Sequence, residues 1–210
     1  MTKLVSKLPL EYLLIALLVF GVSGCSVITP SAPTQFYVLS GGSPASNEAP
    51  VGEVPAQIQI GIGPVEIPGY VDRPQMVTIG SGNTLVVADL HHWAEPVQES
   101  VKRVLIENVS MLLRPQQVFA YPANFHPSEN SLQVSIEIRE FIQDDTGKAK
   151  LTVSWNVKRL LDNKLLGRDA ARFEKVSVIN DYSAYAADMS KLLRQLSVEI
   201  VKSIQTATVG

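Results

Sequence analysis

Two runs of strict alternation limit what this chain can fold into more than anything else in it. Leu132, Val134, Ile136 and Ile138 alternate with Gln133, Ser135, Glu137 and Arg139, and Leu151, Val153, Trp155 and Val157 alternate with Thr152, Ser154, Asn156 and Lys158. A period of two gathers the apolar members on one face of a strand. Asp144-Asp145-Thr146-Gly147 between the runs has turn chemistry, so the two strands should be antiparallel neighbours. Asp162-Asn163 turns the chain into a third run, about residues 165 to 178, carrying Arg168, Asp169, Arg172, Glu174 and Lys175. That polarity predicts a strand at a sheet edge or partly exposed. A three-strand meander with one apolar face needs that face covered.

Two amphipathic helices are available to cover it. Val97, Val101, Val104, Leu105, Val109, Leu112 and Leu113 recur at helical spacing, with Pro96 expected in the first turn and an end near Arg114-Pro115. From about Ser183, residues Tyr185, Met189, Leu192, Leu193, Leu196, Ile200 and Ile204 form the stripe of a second helix, capped by Asp181 or Ser183. Ile58, Ile60 and Ile62 alternate with Gln57, Gln59 and Gly61 as a half-buried strand running to about Val65, with Pro64 and Pro68 stopping it. Residues 75–79 and 84–88 flank Gly80-Ser81-Gly82-Asn83 as a hairpin, and Val118-Phe119-Ala120-Tyr121 reads as a short strand. The expected fold class is α/β of the α+β kind: a single domain with a mixed, mostly antiparallel sheet, a three-strand meander and two amphipathic helices covering one face.

Ahead of this domain lies a different kind of sequence. Lys3 and Lys7 precede an apolar run broken only by Glu11 and ending in Gly21, Ser23 and Gly24, the layout of a secretory signal. The run is about a dozen residues, short of the ~20 that a spanning helix needs. Val22-Ser23-Gly24-Cys25 resembles the lipobox of bacterial lipoproteins, and Cys25 is the chain's sole cysteine, so no internal disulfide can use it. The resemblance implies removal of residues 1–24 and a diacylglycerol and an N-acyl group on Cys25; Ser26 is not the aspartate of inner-membrane retention, which points to the outer membrane. A single acyl chain holds a protein only reversibly, whereas several hold it durably. Residues 25–34, with Thr29, Pro30, Ser31 and Pro33, read as a tether, and residues 35–210 as the folded domain, with a Gly-, Pro- and Ser-rich loop over 41–55. Losing residues 1–24 removes Lys3, Lys7 and Glu11 and moves the net charge from −2 to about −3, leaving no basic stripe for nucleic acid.

Reactive chemistry is sparse. The histidines are His91, His92 and His126; His91 and His92 are adjacent and would point to opposite faces of a strand, and with Cys25 acylated no thiolate is left, so no metal site is expected. The plainer reading makes them loop histidines beside Trp93. Gly61-Ile62-Gly63 lacks the third glycine of a dinucleotide loop because Glu66 stands there, no Gly-x-Ser-x-Gly elbow occurs, and Asp144-Asp145 suits a turn better than acid–base work. No catalytic residue and no enzyme activity is expected. Residues 63 to 77 hold Pro64, Pro68 and Pro74, Gly63 and Gly69, the apolar Tyr70 and Val71, and the adjacent charges Asp72 and Arg73. Such a stretch is either a wide crossover between strands or a contact surface for protein or lipid.

Gln35-Phe36-Tyr37-Val38-Leu39, residues 63 to 77, and Asp89-Leu90-His91-His92-Trp93-Ala94-Glu95-Pro96 resemble the recurring segments of the ABC-type transport auxiliary lipoproteins, a family that includes the paraquat-inducible C lipoprotein. The resemblance covers nearly all of the chain after Cys25. It implies an outer-membrane lipoprotein with an α/β domain, facing the periplasm and working with an MCE-domain protein that carries lipid between membranes, and it supplies no catalytic residue. On this view the domain is a docking subunit whose candidate partner-binding residues are Tyr70, Asp72, Arg73, His92 and Trp93. A homo-oligomeric ring around a tubular partner is compatible with that role. The alternative is a periplasmic lipid carrier with its own apolar cavity; against it, the apolar faces suffice only to cover one another.

Overall fold

The residues that alternate in the sequence meet in the structure: Val134 lies opposite Val157, Ile136 opposite Trp155 and Ile138 opposite Val153. The structure, a computed structural model, describes residues 32–42 and 54–209. The expected leader, Cys25, most of the tether and residues 43–53 of the expected loop lie outside the described residues. In chain order the elements are β1 (Gln35–Tyr37), β2 (Gln59–Glu66), β3 (Gln75–Gly80), β4 (Thr84–Trp93), α1 (Val97–Leu112), β5 (Val118–Ala120), β6 (Ser131–Gln143), β7 (Lys148–Arg159), β8 (Leu165–Val176) and α2 (Tyr182–Val209).

β6 is the hub of the eight-stranded sheet. One of its edges bonds β7 along almost its whole length. Its other edge is shared: residues from Ser131 to Glu137 run parallel to β2, and Gln143 lies beside Thr78 of β3. A strand has only two edges, so β2 and β3 occupy successive stretches of one of them and the sheet divides there. The order is β1-β4-β3-β6-β2-β5, with β7 and then β8 beyond the opposite edge of β6. The β6–β7 and β7–β8 ladders and the β3–β4 hairpin are antiparallel, as the sequence predicts. The joins between segments far apart in sequence, β1–β4, β2–β5, β2–β6 and β3–β6, are parallel.

Both helices bury the expected stripes. Val97, Val101, Val104, Leu105 and Val109 of α1 and Tyr185, Met189, Leu192, Leu193, Leu196, Ile200 and Ile204 of α2 join the inward residues of the sheet in one core. Asp181 caps α2, its carboxylate accepting from the Ala184 amide at 2.9 Å. α1 starts one residue later than expected: Pro96 is its extended N-cap (ψ 131°), not part of its first turn. β8 bonds β7 alone and forms the expected edge.

β2 ends at Glu66, next to the expected end at about Val65, and passes Pro64 through a register shift between Ile62 and Val65. The proline falls at that irregularity and is exposed, where its missing N–H removes no ladder bond. Upstream, both faces of β2 are covered, because the Phe119 ring of β5 lies directly on Gly61; a Cβ there would be 2.8 Å from it.

Candidate functional site

The site forms where β1 meets the end of β4. Gln35, Phe36 and Tyr37 pair in parallel with His91, His92 and Trp93, and the Ala94 amide donates to Tyr37 O at 2.8 Å. Strand alternation sends Tyr37 and Leu39 inward and Phe36 and Val38 outward. The Tyr37 hydroxyl donates to Gln35 Oε1 (2.6 Å) and lies 2.8 Å from His91 Nδ1, while the His91 ring stacks on Tyr182 at 4.1 Å. β1, β4 and the first residue of α2 are thus tied through one histidine. His92, on the other face, meets the Phe36 ring edge-on at 5.9 Å, and its Nε2 lies 3.0 Å from Asp89 O. The two histidines point to opposite faces, as a period of two requires, but they belong to strand β4 and not to a loop.

Residues 67 to 74 close over this end of the sheet. The Val71 amide donates to Pro68 O, the Arg73 amide to Val71 O at 2.8 Å, and Val71 is buried, so the loop is pinned by its own apolar residue. Tyr70 is half-buried; burial pushes its phenol above the ordinary range, partly opposed by a hydrogen bond with the Phe141 backbone. Asp72 and Arg73 remain exposed. The loop is fastened to β4 by the Trp93 amide, which donates to Pro74 O at 2.7 Å. Trp93 is 6% exposed, with ring centroids 6.2 Å from Phe141 and 6.1 Å from Tyr185. It is a core residue whose remaining edge faces a surface cleft of about 370 Å³ that Asp72, Arg73, Pro74, Ala94, Glu95 and Pro96 also line.

Of the five residues singled out in the sequence, Asp72, Arg73 and Trp93 share this cleft; Tyr70 packs behind it, and His92 faces outward beside Phe36. Sequence reasoning missed Glu95 and Arg103. Their carboxylate and guanidinium form a close ion pair, with the Ser100 hydroxyl donating to Glu95 and Arg103 also donating to Leu39 O at 2.9 Å. The Arg103 hydrogen bond holds the Glu95 carboxyl below the usual range against the upward push of burial, with help from Ser100. The eight-residue separation, one member lying before the helix, hides this pair from helix-face rules. Phe36 and Val38 were also missed, although the run Phe36, Tyr37, Val38 and Leu39 puts apolar side chains on both faces of the strand.

The cleft offers recognition chemistry: apolar walls, an exposed cation and an exposed anion. Its remaining carboxylate, Glu95, is already engaged. Among the described residues no group of three or more His, Cys, Asp or Glu could hold a metal ion, and no helix is long and apolar enough to cross a membrane. Asp144 accepts from the amides of Thr146 and Lys148, both at 2.9 Å, and from Lys150 at 2.7 Å, which is turn-building work.

A family model described as ABC-type transport auxiliary lipoprotein component matches residues 37–201. Two crystal structures have a similar fold. One, of a protein described as uncharacterized, aligns with a TM-score of 0.65 at 15% identity over 82% of this chain and 99% of that one. The other, protein XCC0632 from Xanthomonas campestris of the DUF330 family, aligns with a TM-score of 0.62 at 18% identity over 82% and 96%. At these identities the likeness is one of fold. No curated protein sequence matches the chain.

Proposed function

The chain belongs to the ABC-type transport auxiliary lipoprotein family, and from that premise we propose that it is the non-enzymatic docking subunit of an MCE-type intermembrane lipid transport system. Its acylated Cys25 would hold the domain on the periplasmic side of the outer membrane, where it receives the MCE-domain protein that bridges the envelope. The observation that carries this reading is a convergence. Residues 63–77 and 89–96, apart in sequence, are joined by the Trp93–Pro74 bond and open onto one cleft with Asp72 and Arg73 exposed at it. A surface built on a pinned loop and a buried tryptophan is rigid before its partner arrives, which lowers the entropy cost of docking.

The carrier alternative fares worse. The inward residues that would have to line a lipid cavity, such as Ile60, Ile62, Val134, Leu151, Leu105 and Leu196, are fully buried within one packed cluster. No catalytic group and no cofactor beyond the acyl groups on Cys25 is part of the proposal.

The test is affinity purification of the tagged, full-length lipoprotein from cross-linked envelopes. An MCE-domain protein should be recovered with the wild type and lost with the double reversal Asp72→Arg, Arg73→Asp, while Cys25→Ala should leave the fold intact and release the protein from the outer membrane. Equal recovery with the charge-reversed cleft would remove the cleft from the reading, and a Cys25→Ala protein that still sediments with outer membrane after high-salt washing would remove the anchor.

A further inference from the structure

We infer that the outward face of β1 and the end of β4, presenting Phe36, Val38 and Leu90, rests on the lipid surface to which the chain is anchored. This rests on the lipoprotein reading of Cys25 and adds to it an orientation. The three side chains are 66%, 58% and 40% exposed, high for an aromatic and two aliphatics in paired strands. The exposure of Phe36 and Val38 follows from the register: Phe36 pairs with His92 and Val38 stands two residues after Phe36, while Leu90 lies just before His92 on the stretch of β4 where the pairing with β3 shifts. Tyr37 and Leu39 take the inward positions, with Leu39 only 1% exposed, so the outward pair has no core to enter.

What covers this face follows from where the chain enters it. Gln35 lies ten residues along the chain from Cys25, with nine residues between them, and Phe36 comes next. At ~3.3 Å per residue the tether spans at most ~33 Å, and as a flexible coil it averages about 17 Å. A tether this short sets an effective concentration of order millimolar, so an apolar face too weak to bind a membrane by itself is engaged once the chain is anchored. The bilayer is the apolar phase that the tether holds next to Phe36. The distal end of the domain lies elsewhere: His91 stacks on Tyr182 at the start of α2, whereas Leu161 shares a surface pocket with Ala207 and Thr208 at its end. At 1.5 Å per residue the helix sets these ends about 40 Å apart. Asp72 and Asp89 are exposed near the proposed contact, so it is apolar in character and needs no anionic lipid. The cleft beside Trp93 then sits at the level of the bilayer, where a bridging partner arrives.

Because Cys25 is the chain's sole cysteine, acylation leaves any introduced cysteine as the one free thiol. The acylated full-length chain carrying Phe36→Cys, Val38→Cys, Leu90→Cys or the distal control Leu161→Cys is labelled with an environment-sensitive fluorophore. Each is reconstituted in phosphatidylcholine vesicles with brominated acyl chains. Probes at 36, 38 and 90 should lose roughly half their emission relative to unbrominated vesicles, as expected for groups at the headgroup–acyl boundary, with no change on raising the salt, while the probe at 161, where Leu161 is 64% exposed, keeps its emission. Equal emission in both vesicles at all four positions would overturn the inference. So would probes at 36, 38 and 90 that are shielded without bromine quenching and become exposed on dilution of the protein in the vesicles, since a second copy would then cover the face. Intact mass of the same samples separates the causes: an acylated chain with unquenched probes fails this inference alone, and a bare thiol at Cys25 fails the lipoprotein reading as well.

Discussion

Replacing Leu39 by alanine probes how firmly the segment after β1 is fixed to the folded domain. Leu39 follows β1 and is 1% exposed. Its carbonyl accepts from Arg103 of α1 at 2.9 Å, the next amide, of Ser40, donates to Ser190 of α2 at 3.1 Å, and the Gly42 amide donates to Asn108 of α1 at 3.0 Å. The segment is therefore a strap bonded to both helices, with one leucine driven into the core. Leu39→Ala removes three carbons worth about 0.8 kcal/mol each, or about 2.4 kcal/mol. Residual cavity raises the expected loss to about 3 kcal/mol, within the ~2–5 kcal/mol range of such truncations. The backbone bonds of the strap are untouched, so the loss is one of packing. Urea unfolding followed through Trp93 and Trp155, the two tryptophans of the chain, should show the midpoint falling by about 1–3 M at a slope of ~1–3 kcal/mol per molar. A midpoint within about 0.2 M of the wild type would mean that Leu39 is outside the cooperative core, and that the strap peels away before the domain unfolds.

Two further outcomes follow from the geometry. Burial alone would raise the Asp144 carboxyl, but Lys150, the Thr146 hydroxyl and the amides of Lys148 and Thr146 outweigh it and hold the group far below the usual carboxylate range. A depressed folded-state pKa stabilises above the unfolded value of ~3.9 and is lost as pH falls below it; Asp144→Asn should therefore cost about 2 kcal/mol at pH 7, and the gap between mutant and wild-type urea midpoints should narrow at pH 3. Gly61→Val would force a side chain into the Phe119 ring, 2.8 Å from where its Cβ must sit, and should lower thermal stability by about 1–3 kcal/mol, whereas the same change at Gly167, where nothing lies within 4 Å, should be nearly neutral.

The meander and both helices were legible because each has a period that local burial enforces. The polar third run, with Arg168, Arg172 and Glu174, correctly marked β8 as an edge. Pro64 is tolerated inside β2 because a proline forbids only a ladder bond, and a register shift puts it where no bond is needed. The candidate site was half legible. Asp72 and Arg73 stood out as adjacent opposite charges in a rigid loop, but nothing local told that Trp93 is 6% exposed, with only its edge in their cleft. Glu95 with Arg103, and Phe36 with His92, are partners made by the fold.

What the chain's own sequence decided is which residues turn inward within each element, because alternation and helical spacing act over a few residues and record a local division between water and core. It also holds Val22-Ser23-Gly24-Cys25, the segment that resembles a lipobox. What only the tertiary structure decided is which elements become neighbours: β1 beside β4, β2 beside β6, the 63–77 loop against Trp93. Parallel partners need long connections, and closing a long loop costs little more for one partner than for another, so the choice among them falls to packing of whole faces, which no short stretch of sequence contains.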